Sequence, residues 1–132
     1  MAKISHLATI LVVEDENIIA KDLMHRLGQM GFGGSQIASS GEEAIKMATT
    51  SKPDLVLMDI GLKGSIDGIE AGRHIQEVLQ IPVVFLSAYP RETTLHRASL
   101  KGPVDFIGKP FHDNDLYAIL NKHFSAVRTY RK

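Results

Sequence analysis

The sequence predicts a doubly wound α/β domain built on a parallel sheet. Short apolar runs alternate with segments of helical period along the chain, the arrangement that gives parallel strands joined by helical crossovers. The runs are apolar throughout instead of at every second position, as expected of strands covered on both faces. The length, 132 residues, fits one domain with its own core.

The elements follow in order. Residues 8–13 (ATILVV) form a first buried strand. From Asn17 the period changes: Ile19, Leu23, Leu27 and Met30 recur at steps of four, four and three, which is one helix face, and Gly31, Gly33 and Gly34 end that helix. A short strand covers residues 36–38. Ser40-Gly41-Glu42-Glu43 reads as a capping box opening a second helix, with Ala44, Ile45 and Ala48 inward and Pro53 as its stop. Residues 54–60 (DLVLMDI) supply a third buried strand, ending at Asp59. A loop with Gly61, Gly64 and Gly68 leads to a third helix carrying Ile69, Ile75, Val78 and Leu79. Pro82 precedes a fourth strand, 83–86, that ends at Ser87. A polar helix over 93–100 closes at Gly102 and Pro103. The last strand, 104–107, is followed by Lys109 and Pro110, and a final helix places Leu116, Ile119, Leu120, Phe124 and Val127 on one side. Five strand–helix units with helices on both sheet faces fit the doubly wound folds, and among their strand orders the flavodoxin-like 2-1-3-4-5 is the one expected here.

Composition narrows the function. Lys plus Arg and Asp plus Glu both number 15, so no net charge calls for nucleic acid or an anionic membrane. There is no cysteine, which excludes disulfides and thiolate metal sites. No apolar run approaches the roughly 20 residues that span a bilayer, and the N-terminus lacks the apolar core of a signal peptide. A cytoplasmic protein is expected. The expected organisation is one domain over 1–132, with a folded core over about 7–127 and a basic tail or linker start at 128–132. The chain would be a stand-alone unit or a piece of a longer protein. The six histidines show no paired metal spacing, and Gly28, Gly31, Gly33 and Gly34 follow a helix, so they make no dinucleotide fingerprint.

In a doubly wound sheet the site lies at the carboxyl ends of the strands. Those ends deliver Glu14 and Asp15, Asp59, Ser87 and Lys109. Clustered carboxylates raise one another's pKa and cost stability unless a cation joins them. Oxygen ligands without His or Cys point to magnesium, which takes one or two carboxylates and keeps room for a phosphate oxygen. Asp59 is then a nucleophile suited to forming an aspartyl phosphate, Lys109 a counter-charge and Ser87 a hydroxyl donor for the phosphoryl oxygens. Taken singly, each residue has an ordinary reading: Asp15 as a cap of the first helix, Lys109 as solvated, Ser87 as a loop residue. Their meeting at one sheet edge favours the joint reading.

These residues sit in segments that resemble the receiver domain of two-component response regulators over nearly the whole chain. The segments are residues 11–16 (LVVEDE), 53–60 (PDLVLMDI), 67–70 (DGIE), 82–88 (PVVFLSA) and 106–111 (FIGKPF). The resemblance implies that Asp59 is the phosphoacceptor, supplied by a histidine kinase or phosphotransfer protein. It implies that Glu14, Asp15, Asp59 and the Gly61 carbonyl arrange Mg2+, with Glu14 acting through water. Lys109 would pair with the phosphoryl group, Ser87 would swing toward it, and Phe106 would turn inward as the switch aromatic. The Lys109–Pro110 bond would be cis, which costs little at proline. The altered surface would be that of the fourth helix, fifth strand and fifth helix. That face would meet a downstream effector or an attached output domain, and in this family it is also where two copies pair. A receiver catalyses only its own phosphorylation and dephosphorylation, so it is not a multiple-turnover enzyme.

Two departures stand out. Residues 60–68 (IGLKGSIDG) have Lys63 where the family has proline and are one residue longer, which implies a more mobile lid. Gly61 and Tyr89 occupy the positions that tune phosphate lifetime, and Pro90 stiffens the second of these loops. Three other readings compete. A haloacid-dehalogenase-like phosphatase would carry its nucleophile in an Asp-x-Asp pair after strand one, where Glu14-Asp15 stands. A non-phosphorylated interaction module would have lost Asp59, Lys109 or an acid. A flavin protein would carry a Ser/Thr-rich phosphate loop after strand one.

Overall fold

The structure, a computed structural model, describes residues 8–62, 64, 66–88 and 105–130, with side chains described as far as residue 124. Strands β1 (Ile10–Val13), β2 (Gln36–Ala38), β3 (Leu55–Asp59), β4 (Val83–Ser87) and β5 (Asp105–Gly108) form one parallel sheet in the order β2-β1-β3-β4-β5. This is the expected flavodoxin-like order. Helices α1 (Asn17–Gln29), α2 (Gly41–Ser51), α3 (Gly68–Glu77) and α4 (Asp113–Tyr130) connect and follow the strands. The polar helix expected over 93–100 lies outside the described residues, as do Lys63, Tyr89 and Pro90.

The continuous apolar runs make sense once each strand is seen to serve two cores. Alternate residues point to opposite sheet faces. Ile10, Val12, Leu55, Leu57, Val84, Leu86 and Ile107 pack with Leu23 and Leu27 of α1 and Leu116, Leu120 and Phe124 of α4. Leu11, Val13, Val56, Met58, Val83 and Phe85 pack with Ala44 and Ala48 of α2 and Ile69, Ala71 and Ile75 of α3. Gly72 matters on this second face, where an added Cβ would fall 2.4 Å from the Phe85 ring.

Local chemistry sets the helix ends. At the end of α1, the Gly31 N–H donates to the Gly28 carbonyl and the Phe32 N–H to the Leu27 carbonyl, the paired bonds of a Schellman motif. Gly31 has φ 104°, which that motif requires. At α2 the Ser40 hydroxyl accepts from the Glu43 N–H at 3.1 Å, while the Glu43 carboxylate accepts from the Ser39 N–H at 3.0 Å. This is the expected capping box with its return bond shifted by one residue. At α3, Asp67 caps by accepting from the Glu70 N–H at 2.8 Å.

Several expected boundaries and orientations change. β1 starts at Ile10 and not at Ala8; β3 covers 55–59 and not 54–60; β5 runs on to Gly108 and not only to 107, while residue 104, its expected start, lies outside the described residues. Ile19, expected on the inner face of α1, is 42% exposed, and Ala20 is buried in its place. In the first turn of α1 the side turned to the core is therefore that of Ala20, one position on from Ile19. Val78 is 64% exposed because α3 ends at Glu77 and the chain turns away. Asp15 does not cap α1: the cap position is Glu16, with no side-chain hydrogen bond.

The sheet edge at β5 carries a charged tie to α4. Asp105 lies 3.0 Å from Lys122 Nζ and 2.9 Å from His123 Nε2. Partial burial opposes ionisation of Asp105, but the hydrogen bonds from Lys122 and His123 outweigh it and hold the carboxyl below its ordinary value. A carboxyl lowered in the folded state contributes stability above its unfolded pKa of 3.8, and that contribution is lost as pH falls through the folded value. Asp105→Asn is therefore expected to flatten the acid limb of stability below about pH 4. Urea midpoints compared between about pH 5 and about pH 3 should fall less in the variant than in the wild type.

Candidate functional site

The strand ends converge as parallel pairing dictates. Glu14 follows β1 and its N–H donates to the Ala38 carbonyl at 3.0 Å, extending the β1–β2 ladder by one residue. Asp59 is the last residue of β3 and pairs in register with Leu86, so Ser87 lies one residue further along β4 at the same edge. Ser87 in turn pairs with Gly108, and the Lys109 N–H donates to the Ser87 carbonyl at 2.7 Å. The sheet thus brings Glu14, Asp15, Asp59, Ser87 and Lys109 to one edge.

There the side chains form a compact ionic group. Lys109 Nζ donates to Asp59 Oδ1 at 3.1 Å and to Glu14 Oε1 at 3.5 Å. The Gly61 N–H donates to Asp59 Oδ1 at 3.1 Å, and the Glu16 N–H to Glu14 Oε2 at 3.2 Å. Glu14, Asp59 and Ser87 are buried, while Asp15 and Lys109 are half-buried. Carboxylate oxygens of Glu14, Asp15 and Asp59 lie within 4.8 Å of one another.

One ammonium beside three acids leaves the cluster under-neutralised. Burial pushes Glu14 up to about 7, and the Asp59 charge adds to this against the pull of the Glu16 N–H and Lys109. Burial alone would lower Lys109, but its bond to Asp59 and the charges of Asp59 and Glu14 reverse that and raise it. A buried group of hard oxygens with surplus negative charge suits a divalent cation such as magnesium.

The surroundings hold this group in place. The Lys109–Pro110 bond is cis. Directly after it, Arg26 of α1 donates to the Phe111 carbonyl at 3.0 Å, stacks its guanidinium 4.7 Å from the Phe111 ring centroid and pairs with Asp113. Sequence reasoning missed Arg26, because an arginine on the polar edge of a helix carries no local sign of a partner 85 residues away. Beneath the site, Phe106 of β5 stacks on Phe85 of β4 with centroids 5.3 Å apart. The loop after Asp59 returns so closely that a Cβ on Gly68 would fall 2.1 Å from the Asp59 carbonyl oxygen, so only glycine fits there.

Comparison with known proteins follows the same lines. The model of the response regulator receiver domain matches residues 10–121. The chain belongs to this family. Over 119 residues it is 34% identical to the transcriptional regulatory protein PdtaR of Mycobacterium tuberculosis, covering 90% of this chain and 58% of that one. It is 35% identical over 125 residues to the phyllosphere-induced regulator PhyR of Methylorubrum extorquens, covering 93% and 46%. Among solved structures, the signal receiver domain of a signal transduction histidine kinase from Syntrophus aciditrophicus superposes with a TM-score of 0.79 at 28% identity, covering 91% of this chain and 92% of that one. The chain spans about half the length of the curated relatives it matches. It is a receiver domain of two-component signalling, and the phosphatase, flavin-protein and non-phosphorylated readings lose their ground. No helix among the described residues is long and apolar enough to cross a membrane.

Proposed function

We propose that this receiver takes a phosphoryl group onto Asp59 from the phosphohistidine of a histidine kinase or phosphotransfer protein. The observation that carries the reading is the Lys109 Nζ bond to Asp59 Oδ1 at 3.1 Å, within an edge that also holds Glu14 and Asp15. An Asp59 oxygen attacks phosphorus as the P–N bond to the donor's protonated ring breaks; the nitrogen keeps the bonding pair, which leaves a neutral imidazole on the donor and a mixed anhydride on Asp59. Later attack by water on phosphorus releases inorganic phosphate and restores the carboxylate. Magnesium, when bound, neutralises charge on the phosphoryl oxygens. Asp15, Asp59 and the Gly61 carbonyl would hold it, with Glu14 acting through water. Lys109 keeps its ammonium against the developing charge, and the Ser87 hydroxyl donates to a phosphoryl oxygen.

The switch follows from Ser87 and Phe106. As Ser87 turns toward the phosphoryl group, Phe106 changes rotamer inward and the surface around β5 and α4 is reshaped for a downstream effector or an attached output domain. Two copies pair through the same surface. Gly61 and Tyr89 tune how long the phosphoryl group survives. This receiver works in the cytoplasm, and its only chemistry is its own phosphorylation and dephosphorylation, without direct contact to nucleic acid or membrane.

Intact-mass spectrometry with acetyl phosphate is the test. A single phosphoryl adduct is expected in Mg2+ and none in excess chelator. Equal adduct in both conditions, or none in either while beryllofluoride also fails to bind, would overturn the reading.

A further inference from the structure

We infer that Glu42 of α2 is a positioning residue for the magnesium-dependent step at Asp59, acting by holding the loop that follows the phosphoacceptor; this rests on the site reading proposed above. The chain leaves the site after Asp59 and returns at Gly68, which packs directly against the Asp59 carbonyl, so the neck of this loop is fixed. Glu42 reaches the loop's returning limb. Its Oε1 accepts from the Ile66 N–H at 3.0 Å, and a Cβ on Gly64 would fall 3.7 Å from the same carboxylate. Gly64 has φ 124°, a turn conformation that suits glycine.

The rest of the first turn of α2 is shaped for the same purpose. A Cβ on Gly41 would fall 2.9 Å from the Ile66 carbonyl oxygen and 3.1 Å from Ala71 Cβ, so the returning limb seats on bare backbone. Ile66 itself packs against the core shared by α2 and α3. Helix capping does not explain Glu42, because Ser40 and Glu43 supply it.

The consequence reaches Gly61. Its N–H is tied to Asp59, and its carbonyl is the proposed ligand on the outgoing limb of the same short loop. With both neck and return limb held, the loop samples fewer conformations, and a larger fraction is competent to bind the ion. The apparent affinity scales with that fraction. Losing one hydrogen bond of ordinary worth shifts the fraction by about 3- to 10-fold.

The experiment compares wild type, Glu42→Ala and Glu42→Gln in the 132-residue chain. Mg2+ affinity is measured by calorimetric titration, and adduct formation from acetyl phosphate is followed across Mg2+ concentrations. Glu42→Ala should weaken Mg2+ binding by about 3- to 10-fold and slow phosphorylation at low Mg2+, with recovery at saturating Mg2+. Glu42→Gln keeps an acceptor oxygen for the Ile66 N–H and should stay near wild type. Unchanged Mg2+ affinity in Glu42→Ala would overturn the inference, even if its unfolding midpoint fell. Equal weakening in both variants would also overturn it, since the lost charge and not the hydrogen bond would be responsible. A wild type that neither binds Mg2+ nor takes a phosphoryl group would instead overturn the site reading itself.

Discussion

Asp59→Asn is expected to abolish the magnesium-dependent phosphoryl adduct while leaving the chain folded. The amide has nearly the shape of the carboxylate, so its carbonyl oxygen can still accept from the Gly61 N–H, which lies 3.1 Å from Asp59 Oδ1. What it lacks is a nucleophilic oxygen that carries charge. The change also removes one of the three acids that crowd the edge, which relieves repulsion on Glu14. Loss of adduct by at least about 100-fold in intact-mass spectra, with an unchanged circular dichroism spectrum, is the expected outcome. An adduct retained at wild-type level would mean that phosphate attaches elsewhere.

Lys109→Ala is expected to slow phosphorylation by about 10²–10³-fold at saturating Mg2+. A preorganised cation aimed at developing phosphoryl charge is worth about that much, and Lys109 already points at Asp59 from 3.1 Å. The backbone should be spared, because the Lys109 N–H bond to the Ser87 carbonyl does not depend on the side chain. Without the ammonium, Glu14 and Asp59 lose a shared counter-charge, so the metal-free protein should also unfold at lower denaturant. Time-resolved intact-mass measurement reads the rate. A decrease smaller than about 5-fold would reduce Lys109 to a structural role.

The two strongest effects fall on residues that were legible before any coordinates, and this has a physical basis. Strands buried on both faces must be apolar along their length, so a polar residue that ends one is conspicuous. Asp59 after LVLM and Ser87 after VVFL could be read this way. Parallel pairing then puts every strand's carboxyl end on the same edge, which makes residues far apart in sequence neighbours. Capping chemistry is equally local, which is why Ser40 and Gly31 could be assigned from short patterns.

What the sequence could not reveal depends on where elements begin and on long side chains that reach across the fold. Periodicity places Ile19 on the face of Leu23, but the buried residue in that first turn is Ala20, and Ile19 stays 42% exposed. Val78 continues the α3 pattern past the point where the helix has ended. Glu42 and Glu43 are adjacent and alike, and only the path of the loop after Asp59 sends one to the helix cap and the other to Ile66. Arg26 finds Phe111 and Asp113 because α1 and the start of α4 lie side by side on one sheet face.

The sequence by itself therefore determined the parallel doubly wound class, the site edge and the chemical types gathered there, because burial on two faces and parallel pairing act through patterns a few residues long, whereas the order of the strands is a matter of which elements become neighbours. Only the tertiary structure decided which charged side chains brace that edge, because those contacts depend on the distance between separate elements, and local sequence does not encode that distance.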